Sequence, residues 1–455
     1  MEMVLEFLRD VLSQPALLIG IMSCIGLIAL KRPFHKVMTG TLKPILGYLM
    51  LAAGAGVIVN NLDPLGKMIE HGFHITGVVP NNEAIVAVAQ KVLGVETMSI
   101  LVVGLLMNLC IARFTKFKYV FLTGHHSLFM ACLMSAVLGT AGLSGMELIL
   151  VGGFLMGAWS AISPAIGQSY TSKVTDGDEI AIGHFGSLGY YLSAWVAQYV
   201  GKAEDSTEDI EIPEKWGFLR DSTLSTALTM IVFYLIAAIA AGSEFVSTLS
   251  GDMSPYLYAV MSAMNFAVGV TIVYSGVRMI LGDLIPAFQG IATKIIPNAI
   301  PAVDCAVFFT YAPTAVVLGF ISSFIGGIIG MLILGAVGGV LIIPGLVPHF
   351  FCGATAGIYG NATGGRRGAA VGAFLNGLAI TFLPAMALPV LGQLGFQNTT
   401  FGDADFAVMG LVLGNAYEWV GMAGIYGIVA IAALVLIIPN FIKTKGKVIN
   451  YVEED

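Results

Sequence analysis

Long apolar runs separated by short polar loops occupy almost the whole chain. Runs of membrane-spanning length fall at 15–30, 40–60, 97–113, 119–139, 146–169, 180–200, 223–242, 256–281, 303–320, 323–343, 369–391 and 419–441. Shorter pieces, interrupted by Gly and Pro, lie at 76–95, 283–301, 345–365 and 402–416. About 20 apolar residues cross a bilayer. The pattern therefore predicts an all-α polytopic membrane protein, in which the interrupted pieces form re-entrant or broken helices.

Composition narrows the class of protein further. Of 455 residues, 57% are hydrophobic and 11% are charged, and the mean hydropathy is +0.88. Soluble proteins average about 45–50% apolar and about 25% charged residues, so a soluble enzyme and a disordered scaffold are excluded. The net charge of −7 is spread over loops without a basic patch, which excludes nucleic acid as a partner. Five cysteines without a C-x-x-C pair predict free thiols rather than a disulfide framework.

The basic residues of short loops predict the orientation in the membrane, because Lys and Arg accumulate on the cytoplasmic side. They lie at Lys31, Arg32, Lys36, Arg113, Lys116, Lys118, Arg366, Arg367, Lys443, Lys445 and Lys447. With these on the cytoplasmic face of the inner membrane, the N-terminus lies outside and the C-terminus inside. That orientation requires an odd number of spans, and about eleven transmembrane helices fit best.

A polar stretch at 201–221 divides the chain near its middle, and we expect a solvated linker with an interfacial helix anchored by Trp216. The flanking parts, 1–200 and 222–445, predict two membrane repeats, followed by a cytoplasmic tail at 446–455. Three short matches support a repeat: 45–49 with 280–284, 80–83 with 301–304, and 124–125 with 348–349. Their spacing shifts by roughly fourteen residues, which requires a gap. Repeats separated by an odd number of spans would be inverted, with the substrate near the midplane.

Acidic residues inside apolar sequence are costly and indicate a function or a specific partner. Asp304 stands among apolar neighbours, where it could accept hydrogen bonds from a hydroxylated solute, carry a proton, or pair with backbone or Arg278. Glu83 follows Asn82 in the corresponding part of the first half. It could serve the same site or lie at an exposed loop end.

Three histidines also lie in broken apolar segments. His125 and His126 follow Gly124, and His184 follows Gly183. A structural histidine is one interpretation. A pocket in which imidazoles donate hydrogen bonds to a polyol or sugar acid is the other, and acids in two other broken segments favour it.

Other chemistries find little support in the sequence. There is no H-E-x-x-H motif and no His, Cys and Asp cluster with metal-ligand spacing, so we expect neither a metal nor a cofactor. No nucleophile elbow, S-x-x-K or Walker loop occurs, so no catalytic residue is assigned.

Several of these strings resemble the ascorbate-type IIC permease of the bacterial phosphoenolpyruvate-dependent phosphotransferase system. They occur in the family's order, from the first helix to about residue 445. The strings are Thr123-Gly124-His125, Val174-Thr175-Asp176-Gly177, Ile182-Gly183-His184, Gly201-Lys202-x-Glu204-x-Ser206-x-Glu208-Asp209, Gly276-Val277-Arg278-Met279, Asp304-Cys305-Ala306, Ala312-Pro313 and Ile342-Ile343-Pro344-Gly345.

The resemblance implies a homodimeric carrier with about eleven spans per subunit, inverted repeats, and a core domain that moves against a dimerisation scaffold like an elevator. It also implies that the solute is phosphorylated on the cytoplasmic side by a separate IIB protein, charged through IIA. The chain carries no phosphorylatable domain at either end, so we expect no phosphorylated residue of its own. Its expected partners are IIA, IIB, a second copy, membrane lipid and a small sugar, polyol or ascorbate.

The family's ligand positions correspond to the interrupted segments chosen above. Carried over by position, they are Asn82, Glu83, His125, His126, Phe129, His184, Phe185 and Asp304. The family pattern has Gln at the positions of Phe129 and Phe185, and Thr-Tyr at those of Asn82 and Glu83. Exchanging amides for rings removes hydrogen bonds that discriminate between polar solutes. The substrate thus stays open between ascorbate and a related neutral sugar or polyol.

Two other mechanisms compete with this interpretation. An ion-coupled secondary transporter would use Asp304 or Glu83 as its proton or cation site. An intramembrane enzyme would need a catalytic pair about 2.6–3.2 Å apart across the pocket.

Overall fold

The structure, a computed structural model, describes residues 11, 14–74, 77–78, 80, 82–177, 179–210, 222–392 and 400–441. The side chains of some further helical positions, Glu83 among them, lie outside this description. The helices are α1 (Pro15–Ala29), α2 (Phe34–Gly72), α3 (Asn82–Phe114), α4 (Gly124–Thr140), α5 (Gly145–Thr175), α6 (Ser187–Val200), α7 (Ser222–Ala241), α8 (Ser243–Ser250), α9 (Pro255–Lys294), α10 (Pro313–Ala336), α11 (Leu346–Gly392), α12 (Ala404–Val420) and α13 (Met422–Ile437). Short strands form at β1 (Tyr119–Phe121), β2 (Ala181–Ile182) and β3 (Ile300–Val303), and 3₁₀ helices at Cys305–Thr310 and Ile438–Phe441.

The predicted all-α polytopic membrane protein is confirmed, whereas the count of eleven spans is not. In the described residues, seven helices are long and apolar enough to cross a membrane, or eight if α7 and α8, bent by 117°, form one span. The difference arises from apolar runs that do not become whole helices. The runs 119–139 and 180–200 each divide into a strand and a short helix, and 303–320 with 323–343 form one 3₁₀ turn and α10.

The helices pack as two bundles. In the first bundle, α1, α2, α7 and α9 pack mainly on one another. In the second bundle, α10 packs on α11, α11 on α6 and α12, and α3 on α4 and α5. Helix α11 is itself broken at Gly364 and Gly365, which have non-helical backbone angles and divide it into 346–363 and 366–392.

Glycines hold α2 and α9 in close contact. A Cβ atom built on Gly47 would lie 2.9 Å from the Gly276 carbonyl oxygen, and one on Gly54 would lie 2.8 Å from that of Gly269. Real Cβ atoms do not approach backbone this closely. The two helices can therefore approach each other to this distance only where side chains are absent. The interface is therefore sensitive to any added methyl group.

These glycines also lie at a constant spacing along the chain. Gly47 and Gly269 are 222 positions apart, as are Gly54 and Gly276, Asn82 and Asp304, and the first residues of α4 and α11. The predicted match of 45–49 with 280–284 has a larger offset, of 235, and the division into two membrane repeats stays a prediction.

Three parallel strands form what we call the three-strand junction, namely β1, β3 and β2 with the residues that directly follow each strand. The central strand β3 pairs with β1 on one side and β2 on the other. The carboxyl ends of parallel strands meet at one edge of a sheet. His125, His184 and Asp304 follow β1, β2 and β3, so this pairing brings all three together.

A second meeting of extended segments, the bridge junction, comprises residues 77–78, 80, 82, 341–347 and 400–405. Val78 N donates to Leu341 O at 2.8 Å, and Ile343 N donates to Val78 O at 2.9 Å. Gly402 N donates to the Asn82 side-chain oxygen at 2.9 Å. These hydrogen bonds satisfy non-helical backbone groups at positions that are buried or half-buried.

Hydrogen bonds attach the described part of the predicted linker to the second bundle. The Glu208 carboxylate accepts from Thr314 N at 3.1 Å and from Ala315 N at 3.1 Å, at the first turn of α10. Asp205 O accepts from Arg366 N at 2.8 Å, beside the break in α11. Residues 201–210 are mostly exposed, and these hydrogen bonds hold them against the second bundle. Trp216 and its predicted interfacial helix lie outside the described residues.

Candidate substrate-binding site

A cavity of about 890 Å³ lies between α2 and the two junctions. One wall is a face of α2 from Tyr48 to Glu70, a length of ~33 Å at 1.5 Å per residue. The opposite wall gathers most of the residues predicted from sequence, together with others. It includes Asn82, His125, His126, Phe129, His184, Asp304, Cys305, Pro348 and Asp403.

A chain of polar contacts connects α2 to the three-strand junction through His125. The Tyr48 hydroxyl lies 3.3 Å from His125 Nδ1, and His125 Nε2 lies 3.5 Å from Asp304 Oδ2. The other Asp304 oxygen accepts from Ala306 N at 3.0 Å and caps the 3₁₀ turn. Asp304 thus has both the backbone partner expected of a structural carboxylate and an oxygen directed at the cavity histidine.

The hydrogen bonds of His126 and His184 define their protonation. His126 Nδ1 accepts from Phe185 N at 3.3 Å, and His184 Nδ1 accepts from Gly186 N at 3.1 Å. A ring nitrogen that accepts a hydrogen bond carries no proton, which leaves Nε2 of each ring as its donor nitrogen. Their ring centroids lie 3.8 Å apart. Both rings line the cavity.

The two phenylalanines occupy different places. Phe129 lines the cavity, with its ring centroid 5.8 Å from those of both His125 and His126. Phe185 is fully buried and stacks on Phe121 at 4.6 Å. Its contribution comes through the backbone N–H that fixes His126.

Asn82 reaches the site from the bridge junction, and its partner is an acid that sequence reasoning missed. Asn82 Nδ2 donates to Asp403 Oδ2 at 2.5 Å, and the Cys352 thiol donates to Asp403 Oδ1 at 2.7 Å. Asp403 is buried and lines the cavity. The same cost argument that selected Asp304 applies to Asp403, since it stands in the apolar segment 402–416. The side chain of Glu83 lies outside the described residues.

Comparison with known proteins identifies the class. A family model described as "PTS system sugar-specific permease component" matches residues 10–405 of this chain. The chain belongs to this family. It is also 26% identical, over 474 aligned residues, to a protein of Mycoplasma pneumoniae described as "Ascorbate-specific PTS system EIIC component". That alignment covers 90% of this chain and 70% of its relative. The predicted resemblance is therefore confirmed, and the chain is a multi-pass membrane permease component of the phosphotransferase system.

A second missed acid has a structural role in the permease. Asp405 is fully buried and accepts from Leu188 N at 2.9 Å and from the Ser187 hydroxyl at 2.8 Å, at the first turn of α6. Trp159 Nε1 also donates to it, at 3.2 Å. A carboxylate at a helix N-terminus satisfies orphan N–H groups and complements the helix dipole. Asp405 thus joins the starts of α6 and α12 behind the cavity.

Metal-ligand atoms also come together here, although their sequence spacing gave no sign of it. His184 groups with Asp304 and Cys305, and separately with Cys352 and Asp403, with the atoms of each group within 4.8 Å of one another. These residue types can hold a thiophilic cation. The described contacts of these residues are hydrogen bonds, because the Cys352 thiol donates to Asp403 and His184 Nδ1 accepts from Gly186.

Proposed function

We propose that this permease translocates a small polyhydroxylated solute, ascorbate or a related sugar or polyol, which a separate IIB protein phosphorylates on the cytoplasmic side. The observation that carries the proposal is the polar end of the cavity, where broken segments from both halves present imidazole donors beside carboxylate acceptors. Hydroxyl groups both donate and accept hydrogen bonds, so a hydroxylated solute matches this set. IIA and IIB would be separate partners.

Movement of one bundle against the other would carry the solute. Gly47 and Gly54 lock α2 to α9 in the first bundle, which suits a fixed scaffold. Most of the polar groups lie on the second bundle, and the Tyr48–His125 contact connects the two. We propose elevator-like alternating access, in which the second bundle is the core, the repeats have opposite topology, and the scaffold forms the homodimer.

The direction of the cavity supports an outward-open state. It extends along α2 from Tyr48 to Glu70, away from the end of α2 that follows Lys31 and Arg32. Basic loops mark the cytoplasmic side, so the cavity would open to the outside. The same argument gives an N-terminus outside and a C-terminus in the cytoplasm of a cell with a bacterial inner membrane.

Uptake measurements with and without IIB test this function. In cells that express this permease with its IIA and IIB, labelled solute should accumulate as the phosphate ester, and deletion of IIB should abolish accumulation. Dissipating the proton gradient should leave uptake largely intact while phosphoenolpyruvate is maintained. Accumulation of unmodified solute that an uncoupler abolishes would instead establish the ion-coupled secondary transporter.

A further inference from the structure

Two carboxyl groups lie at the polar end of the cavity. Asp304 was predicted from the sequence, and Asp403 was not. Asp304 and Asp403 are 7% and 4% exposed, so little water screens either of them. Both oxygens of Asp403 accept hydrogen bonds, from Asn82 and from Cys352, so neither oxygen is without a donor.

The polar side chains around the two acids include three imidazoles. His126 and His184 each accept a backbone N–H on Nδ1. His125 is the remaining imidazole at this end, and it faces Asp304 at 3.5 Å. Among the described cavity-lining residues, the Lys or Arg side chain present is Lys67, on α2 toward the opposite end, 19 residues beyond Tyr48. Two buried carboxyl groups therefore lie at this end of the cavity, whereas the Lys side chain lies toward the other end.

We infer that Asp403 is a specificity-determining residue, and that with Asp304 it makes the site select an uncharged polyhydroxylated solute over an anion of similar shape. The inference rests on the proposed function and narrows its substrate class. Like charges placed together in a poorly hydrated site repel strongly, and such repulsion is an effective means of excluding a wrong ligand. Hydroxyl groups, by contrast, can donate to the free lone pairs of both carboxylates.

The placement of Asp403 supports a direct role for it. Asp403 has extended backbone and directly precedes α12 at the bridge junction, and Asp304 likewise directly follows β3 at the three-strand junction. Asn82, its partner, is the counterpart of Asp304 at an offset of 222. Each junction therefore supplies one carboxylate to the same cavity, and a bound solute between the junctions would meet both.

Matched ligands that differ in charge test the inference. The two neutral ligands are L-gulono-1,4-lactone and D-sorbitol, and their anionic partners are L-ascorbate and D-gluconate. Calorimetry measures the binding of all four to the purified full-length permease at pH 7. In the pair that binds, we expect the neutral ligand to have at least tenfold higher affinity than the anion. Asp403→Asn should reduce that ratio about tenfold, mainly through tighter binding of the anion. Glu70→Gln, which removes one charge at the far end of the same cavity, should change the ratio by less than twofold.

Several outcomes would overturn the inference. Wild-type binding of ascorbate as tight as that of the lactone contradicts it without any variant, so it remains testable if Asp403→Asn does not fold. An unchanged ratio in a folded Asp403→Asn protein also contradicts it. IIB-dependent phosphorylation of ascorbate would preserve the proposed function while refuting the charge selection. Loss of IIB-dependent phosphorylation with every solute would refute the proposed function itself.

Discussion

The two junctions have one backbone plan and different chemistry. Each junction brings extended segments together, and helices begin there beside the cavity. Asn82 at one junction and Asp304 at the other are 222 positions apart. At the three-strand junction the side chains are imidazoles and a carboxylate. At the bridge junction they are an amide, a carboxylate and apolar groups, and Val347 stands where the offset places the counterpart of His125. Backbone hydrogen bonds hold the extended segments at both junctions, whereas the cavity-facing side chains differ.

The largest difference between the junctions should come from Asp304. Asp304→Asn removes a charged acceptor that also orients His125, and hydrogen bonds to charged groups contribute about 1.5–3 kcal/mol. We expect substrate affinity to fall roughly 10- to 100-fold, with folded protein retained, as measured by calorimetry and size-exclusion chromatography. Asp209→Asn, the same change on the exposed linker, should bind normally. Near-normal binding by Asp304→Asn would remove this residue from the site.

The repeated frame itself can be tested at the glycines of the first bundle. Gly54→Ala and Gly276→Ala occupy equivalent positions and place a Cβ against backbone, so each should lower the free energy of unfolding by about 1–3 kcal/mol. Gly56 has no atom within 4 Å of such a Cβ, so Gly56→Ala provides the control on the same helix. Thermal unfolding in detergent measures all three. Equal stability of Gly54→Ala and Gly56→Ala would argue against the close contact.

The divergence of the side chains predicts unequal effects at His125 and its neighbours. His125→Ala should weaken binding about tenfold, because His125 is 37% exposed and faces the cavity. His126→Ala should weaken binding less and destabilise the fold more, since a buried N–H of Phe185 left without a partner costs about 1–3 kcal/mol.

Val347→Ala serves as the matched control at the bridge junction. It truncates the counterpart of His125 without removing a polar group, so the affinity should stay within about twofold. Equal and small losses for His125→Ala, His126→Ala and Val347→Ala would instead support purely structural histidines.

The smallest effect is expected at the contact between the bundles. Tyr48→Phe deletes the hydroxyl that reaches His125, and a single neutral hydrogen bond contributes about 0.5–1.5 kcal/mol. We expect an affinity loss of about threefold in the same calorimetric assay. Tyr199→Phe, on an exposed side chain, should have no effect. A loss above tenfold would mean that Tyr48 contacts the solute itself.

Much of the candidate site could be predicted, because ionisable residues inside apolar sequence are costly. Asp304 and the three histidines stand out among apolar neighbours, and the structure places all of them at one cavity. Asp403 was missed although the same argument applies to it. Phe185 was assigned to the site by position in a family pattern, yet its ring is buried behind the cavity wall. Position in sequence cannot show which side of a short turn faces the cavity.

The sequence by itself determined the class of the molecule, because an apolar content of 57% and interrupted apolar runs can be accommodated only by helices in a membrane. It also marked where helices break, at Gly and Pro beside ionisable residues. Tertiary structure decided the number of runs that become complete helices and the pairing of Asn82 with Asp403. These depend on contacts between residues more than 100 positions apart, which local patterns do not encode.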